Sequence, residues 1–339
     1  MNHYLLIYTK FNWQNIMDLN NIIEIKINEI DFDDNTFQIS TDNTIDKLCS
    51  SIEYIGLINN PVLKIKNNES KKYKIICGFK RLKALKQLKF NTVIIKLVNE
   101  DDFTCAILAI HDNSLNRQLN LIEQSRAINL ISSFISEDND LYKVLSNIGF
   151  INNRKIIKKI SKLCKMPFEI QNAVIENKIS LKISEELARL AEDESVKISN
   201  FFCNFNLSFG KQIEFLEYIK DISKRDNISI LKILYSNEIH NILNNNDIDN
   251  RIKADEIRYY IKKKRFPHLS NKEEKFKNEI TKLKLLKGMQ FQHSPFFEGD
   301  SYTINMKIKN NDDLKKFIEK LEDISKHLQI NNLDLKYNK

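Results

Sequence analysis

The residues with the clearest chemical potential lie in three clusters. In Gly78-Phe79-Lys80-Arg81-Leu82-Lys83-Ala84 an apolar run ends in glycine and a basic helix begins. Backbone N–H groups at such a helix start, with Lys80 and Arg81 beside them, make an anion site suited to phosphate. The second cluster, His111-Asp112-Asn113-Ser114-Leu115-Asn116-Arg117, closes an apolar helix. Its Asp112 and Asn113 are hard oxygen ligands of the sort that hold Mg2+ against a triphosphate. In the third, Arg154, Lys155, Lys158, Lys159 and Lys162 share a segment with Ile156, Ile157, Ile160 and Leu163. That is the distribution of a helix that buries one face and lays the other against nucleic-acid phosphates. Basic helix starts, polar helix ends and solvated basic faces are all common, so these residue types alone leave the function open.

The elements that must position these clusters are readable from periodicity. Alternation over residues 22–30 predicts a half-buried strand, followed by a polar loop over 31–43. Ile45, Leu48, Ile52 and Ile55 recur at helical spacing over 45–54, with Thr44 or Asp42 as the cap and Gly56 as the stop. Residues 60–65 read as a strand and 73–77 as its hairpin partner. A helix over 79–88, a strand over 92–98 and an apolar helix over 101–110 complete an α+β module.

From Asn120 onward the pattern is helix after helix. Leu141, Val144, Leu145 and Ile148 form the stripe of one helix, 149–153 a turn, and 154–164 the basic helix, which together predict a helix-turn-helix. Pro167 breaks the chain before further short helices over 169–177, 184–192, 212–223 and 229–243. A charged, linker-like stretch over 247–255 leads to Arg258-Tyr259-Tyr260-Ile261-Lys262-Lys263-Lys264-Arg265, a basic run with aromatics; a nucleic-acid backbone contact or a solvated helix end both fit it. The last segment predicts a turn over 293–300, a strand over 301–309 and an amphipathic helix over 312–327 capped by Asn311 or Asp312.

With 339 residues the chain has room for two or three domains, and a hydrophobic fraction of 42% suits a globular protein. Lys and Arg outnumber Asp and Glu by 53 to 45, a formal charge of +8 that favours polyanionic partners. The five cysteines, Cys49, Cys77, Cys105, Cys164 and Cys203, have neither paired zinc-ligand spacing nor a disulfide pattern, which predicts a reducing, cytoplasmic setting. The apolar runs are far short of the ~20 residues that span a bilayer, so no membrane association is expected. Residues 1–20 read as an N-terminal extension, with Met1 or Met17 as the start.

The order of the motifs resembles that of ParB-like partition proteins. Residues 51–62, with Gly56-Leu57-Ile58-Asn59-Asn60-Pro61-Val62, look like the family's first box, Gly-Leu/Ile-x-x-Pro-Val. Residues 78–84 resemble Gly-Glu-Arg-Arg-x-Arg-Ala, and residues 112–123 resemble Glu-Asn-x-Gln-Arg-x-x-Leu-Asn-x-x-Glu. Weaker likeness continues through Met166-Pro167-Phe168-Glu169-Ile170-Gln171 and Glu176-Asn177-Lys178-Ile179-Ser180. The resemblance covers roughly residues 22–190 and implies a ParB/sulfiredoxin-type nucleotide domain over 21–119 and an all-α helix-turn-helix DNA-binding domain over 120–246; the residue pattern beyond them adds a small α/β unit of unknown role over 247–339, which does not look like the family's usual dimerisation domain.

It further implies a homodimer that closes as a clamp on double-stranded DNA, binds CTP with Mg2+, and works beside a Walker-type ATPase in chromosome or plasmid partition. Gly78, Lys80, Arg81, Ala84 and Arg117 would bind the nucleotide phosphates, and Asn60 with Pro61 would line the base pocket. Asn113 with Asp112 would hold the metal, and Asp112 would stand in the catalytic position. The chain departs from the pattern at several points. Phe79 replaces Glu, Lys80 and Lys83 replace Arg, Asp112 replaces the Glu linked with hydrolysis, and Asn116 sits where Arg is usual, with Arg117 one step later. Lys lacks the bidentate fork of Arg, and Asp112 is a methylene shorter, so nucleotide binding is expected over efficient CTP turnover. Two alternatives remain: a transcriptional or mobile-element regulator that uses the helix-turn-helix alone, and an enzyme on the same fold, a nuclease, a kinase or a sulfiredoxin-like reductase using Cys77.

Overall fold

The computed structural model describes residues 21–66, 72–115, 117–299 and 301–327. The N-terminal extension with its two candidate starts and Asn116 lie outside the described residues. The chain divides into two compact units, up to Asn206 and from Leu207 onward.

The first unit opens with a five-stranded sheet built from β1 (Ile22–Lys26), β2 (Ile30–Asp31), β3 (Val62–Ile65), β4 (Tyr73–Cys77) and β5 (Thr92–Val98). Their order is β1-β5-β3-β4-β2. β1 runs antiparallel to β5, β5 parallel to β3, β3 antiparallel to β4 and β4 parallel to β2. The single strand expected over 22–30 is therefore two, separated by a 3-10 turn at Ile27–Glu29, because β1 pairs with β5 at one edge of the sheet while β2 pairs with β4 at the other. Helices α1 (Asp46–Ile55), α2 (Phe79–Gln87) and α3 (Asp102–Ser114) accompany the sheet. Leu63, Ile75, Leu82, Ile95, Ile107 and Ile110 form the buried core. Each contributes a side chain of the size whose burial is worth roughly 1.5–3 kcal/mol.

The loop expected to be merely polar over 31–43 is anchored. Phe37 and Ile39 are buried in it, Lys74 lies 4.8 Å over the Phe37 ring, and Lys66 bridges to Asp31 at 2.8 Å. Neither expected cap serves α1. Ile45 stands at its N-cap without a side-chain bond, since Asp42 is engaged with Thr44 and Lys80.

The unit continues through α4 (Leu121–Ser132), α5 (Asp138–Asn147), α6 (Arg154–Ile160), α7 (Phe168–Ile175), α8 (Leu181–Leu187) and α9 (Glu192–Asn204). The basic helix is shorter than expected: α6 ends at Ile160, and Leu163–Lys165 is a separate 3-10 turn. Gly149, at φ 91°, supplies the left-handed residue in the turn that leads from α5 towards α6.

The second unit holds α10 (Phe209–Asp226), α11 (Ile230–Leu234), α12 (Asn237–Asn244), α13 (Asn250–Arg265) and α14 (Pro267–Lys282). The expected linker over 247–255 is mostly helix, because Asp249 caps α13 by accepting from Ile252 N–H at 2.8 Å. Beyond it, β6 (Met289–His293) and β7 (Tyr302–Met306) pair antiparallel and α15 (Asn311–His327) follows. β6 has no counterpart among the elements expected from periodicity. Met289, Phe317 and Ile324 form the small core where the helix covers the hairpin. The N-terminal turn of α15 is capped by Asn310, which accepts from Asp313 N–H at 2.8 Å, and not by Asn311 or Asp312.

Candidate nucleotide and DNA site

β4 ends at Cys77, and Gly78 turns the chain into α2 with φ 93° and ψ 25°. A side chain there would place its Cβ 3.0 Å from Pro61 Cβ and 3.2 Å from the Arg81 guanidinium, so glycine is required twice over, for backbone angle and for space. A register shift between Val62 and Leu63 bends β3 beside this turn, bringing Asn60 and Pro61 against it. No side chain caps α2, so the N–H groups of its first turn are left to a ligand or to solvent.

Arg81 ties three segments together. Its Nη1 donates to the carbonyl oxygens of Asn59, at 2.8 Å, and Asn60, at 3.3 Å, while its Nη2 lies 3.7 Å from Asp112 Oδ2. The structure thus gathers Asn60, Pro61, Gly78, Arg81 and Asp112 into one place. Asn113 follows on the last turn of α3, where its Nδ2 donates to the Ala109 carbonyl at 2.8 Å and leaves Oδ1 as an oxygen ligand. The C-terminal end of a helix favours a cation. A half-exposed carboxylate and an amide oxygen are a set that suits Mg2+, which is usually completed by substrate phosphates and water. Among the described residues no group of three or more His, Cys, Asp or Glu is assembled.

Three predicted residues are placed differently from the rest. Ala84 is fully buried and packs α2 against the core. Lys80 Nζ donates to Asp42 Oδ2 at 2.6 Å, and with the Thr44 N–H and hydroxyl this holds the Asp42 carboxyl well below the usual range. Arg117 is forked onto Glu123, with Nη2 donating to Oε1 at 2.7 Å and Nη1 to Oε2. Glu123, only 1% exposed, also accepts from Thr41 N–H at 2.9 Å and Asn120 N–H at 3.1 Å. Burial raises the cost of its charge, but Arg117 and these N–H donors outweigh it and hold the carboxyl below its ordinary value. Sequence reasoning does not single out Asp42 or Glu123 as site residues. The signal for Glu123 is present in Asn120-x-x-Glu123, which forms a capping box at the start of α4.

Cys77 lies beside the cluster, but its thiol is buried. Burial, with the Asp112 charge adding to it, pushes its pKa up, so it is not a ready thiolate. Burial likewise pushes Cys105 up to about 12.

Of the predicted DNA-contacting residues, Arg154, Lys155, Lys158, Lys159 and Lys162 are all exposed. Arg154 stacks over the Tyr142 ring at 5.0 Å and donates to Asn139 Oδ1 at 3.0 Å. Lys158 pairs with Asp138 at 3.1 Å and Lys159 with Glu185 at 2.7 Å, both in solvent, where such pairs are exchanged at a cost of about 0–1 kcal/mol.

Residues 13–114 match the ParB N-terminal domain. Over these residues the chain is similar to the ParB family. It is 26% identical over 193 residues to a probable chromosome-partitioning protein ParB of Helicobacter pylori, covering 56% of this chain and 63% of that one. It is 27% identical over 163 residues to a nucleoid occlusion protein of Listeria innocua, covering 47% and 55%. The chain thus spans 55 to 63% of the length of these ParB-like relatives. A C-terminally truncated ParB from Caulobacter crescentus, solved in complex with CTP-gamma-S, is 17% identical, with 54% of this chain and 98% of that one covered at a TM-score of 0.26. No helix among the described residues is long and apolar enough to cross a membrane.

Proposed function

We propose that this ParB-like chain binds CTP with Mg2+ through its first domain and double-stranded DNA through a helix-turn-helix formed by α5 and α6. On this reading it acts as a nucleotide-switched DNA clamp in chromosome or plasmid partition, placed on the nucleoid or plasmid. The observation that carries the reading is the uncapped N-terminus of α2 at Gly78 with Arg81 facing Asp112 beside Asn60 and Pro61. Phosphates would meet the first-turn N–H groups of α2, Lys80 and Arg81. The Asp112 and Asn113 oxygens would hold Mg2+, which neutralises phosphate charge. Base discrimination would fall to the backbone around Asn60 and Pro61. Closure as a homodimer and partnership with a Walker-type ATPase belong to the same proposal.

A second reading, a DNA-binding regulator that needs no nucleotide, is favoured by the engagement of Lys80 with Asp42 and of Arg117 with Glu123. Calorimetric titration with CTP, ATP and GTP in Mg2+, with and without duplex DNA from its own locus, separates the two. Selective CTP binding is the expected result. No binding of any nucleotide under either condition reduces the first domain to a scaffold and leaves the regulator.

A further inference from the structure

The lysine of the phosphate site is already held by an anion of the chain's own. Asp42 reaches Lys80 Nζ with Oδ2 at 2.6 Å, while its Oδ1 accepts from Thr44 N–H at 2.9 Å and from the Thr44 hydroxyl at 2.6 Å. The carboxylate is therefore aimed by its own loop. Bringing a nucleotide phosphate to the same ammonium sets two anions side by side, and their repulsion favours whichever arrangement separates them. Buried Phe37 and Ile39 fix the chain upstream, so yielding is confined to residues 40–44.

Those residues are also the ones that α4 grips. Thr41 N–H donates to Glu123 at 2.9 Å, Asn120 Nδ2 donates to the Thr41 hydroxyl at 2.8 Å, and Arg126 Nη1 donates to the Ser40 carbonyl at 2.9 Å. On its far side, α4 holds the end of the basic helix. Asn129 Nδ2 donates to the Ser161 carbonyl at 2.6 Å, and the Ser125 hydroxyl accepts from Cys164 N–H at 3.0 Å. One hydrogen-bonded chain thus runs from Lys80 through Asp42, the Thr41 segment, Glu123 and α4 to the C-terminal end of α6.

We propose that Asp42 is a tethered competitor for the nucleotide phosphate at Lys80, and that its displacement is passed through Glu123 and α4 to the basic helix α6. The inference rests on the nucleotide and DNA reading above and adds the regulation of that site. Asp42 sets the nucleotide affinity, and Glu123 is a positioning residue whose work is coupling. Coupling between two ligands is reciprocal, so the factor by which CTP changes DNA affinity equals the factor by which DNA changes CTP affinity.

The test uses the full chain and two variants. Asp42→Asn removes the competing charge and keeps the Thr44 bonds, and is expected to tighten CTP·Mg2+ binding about five-fold or more by calorimetry. Glu123→Gln keeps an acceptor for Thr41 N–H but loses the charged fork to Arg117. Release of Arg117 is allowed to shift CTP affinity, but at saturating CTP the CTP-dependent change in DNA affinity is expected to fall towards one, an effect that simple destabilisation does not produce. If Glu123→Gln does not fold, Asn129→Ala, which cuts the relay at Ser161, reads the same coupling. Wild-type CTP binding with unchanged or weaker binding by Asp42→Asn overturns the competitor and leaves the proposed function standing. Full coupling in a folded relay variant overturns the relay. Binding by Asp42→Asn but not by wild type supports the competitor outright, whereas no CTP binding by either overturns both the competitor and the function it rests on.

Discussion

Two basic helices, α6 in the first unit and α13 in the second, look alike as sequence and differ in what surrounds them. In α13 the run from Arg258 to Arg265 is matched against acidic neighbours. Arg258 meets Glu214 at 3.0 Å and Asp255 at 3.2 Å, Lys262 meets Glu273 at 3.0 Å, Lys263 meets Glu274 at 3.1 Å and Arg265 meets Asp221 at 2.8 Å. Arg225 adds donors to the Lys264 and Arg265 carbonyls, closing the helix end onto α10. These cations cross-brace α10, α13 and α14. Along α6 and the turn after it, Lys158 and Lys159 each meet a carboxylate, while Lys155 and Lys162 are exposed and form no ion pair among the described residues. Density of Lys and Arg along a chain therefore measures charge, whereas the acidic residues brought up by the fold decide how much of that charge remains for a polyanion.

The sharpest separation between the helices comes from removing charge from α6. Changing Arg154, Lys155, Lys158 and Lys162 together to Ala is expected to lower DNA affinity at least ten-fold at moderate salt. Each DNA phosphate that is no longer neutralised should also reduce the slope of log K against log salt by about 0.9. Fluorescence anisotropy across a salt series checks both, and an unchanged slope would take the recognition role away from α6. Next in size is the conversion of α13 into something like α6. Glu273→Gln with Glu274→Gln frees Lys262 and Lys263, and a gain of a few-fold in salt-sensitive, sequence-independent DNA binding is expected. The reverse change, Lys262→Ala with Lys263→Ala, should leave DNA binding alone and cost about 1 kcal/mol or less in urea unfolding, the usual worth of exposed pairs.

The pair between Arg117 and Glu123 extends the contrast to a buried partner. Because the folded carboxyl of Glu123 is held below its ordinary value, its contribution to stability is present above the unfolded glutamate value of about 4.3 and is lost as pH falls below it. Wild type should lose melting temperature over that range more steeply than Glu123→Gln, and parallel melting curves would show that the pair is not linked to folding.

Much of the first domain is legible because its strands and helices are short, regular and bounded by glycine or polar residues. β4 and β5 lie where alternation and apolar runs place them, and the turn at Gly78 stands where the sequence puts it. What escapes is long-range. Asp42 reads as a helix cap, since nothing local shows that Lys80, 38 positions later, will claim its carboxylate. Glu123 reads as the last letter of a motif, although its partners Thr41 and Arg117 make it the buried hub between loop and helix. β6 escapes because Met289-Gln290-Phe291-Gln292-His293 is short and ends in a histidine that reads as part of the turn. The segment 247–255 reads as a linker because charge composition resembles disorder until Asp249 is seen capping a helix.

The cluster at Gly78 is assembled from pieces far apart in translation order: Asp42, Asn59 with Asn60, Gly78 to Arg81, and Asp112. At synthesis rates of roughly 5–20 residues per second, several seconds separate the appearance of the first piece from that of the last. During that interval the nascent chain presents Lys80 and Arg81 without the acidic side chain of Asp112, so a ribosome-bound domain is more cationic at this spot than the finished one. Completion of α3 is thus the moment in the life of the chain at which this cluster reaches its final balance of charge.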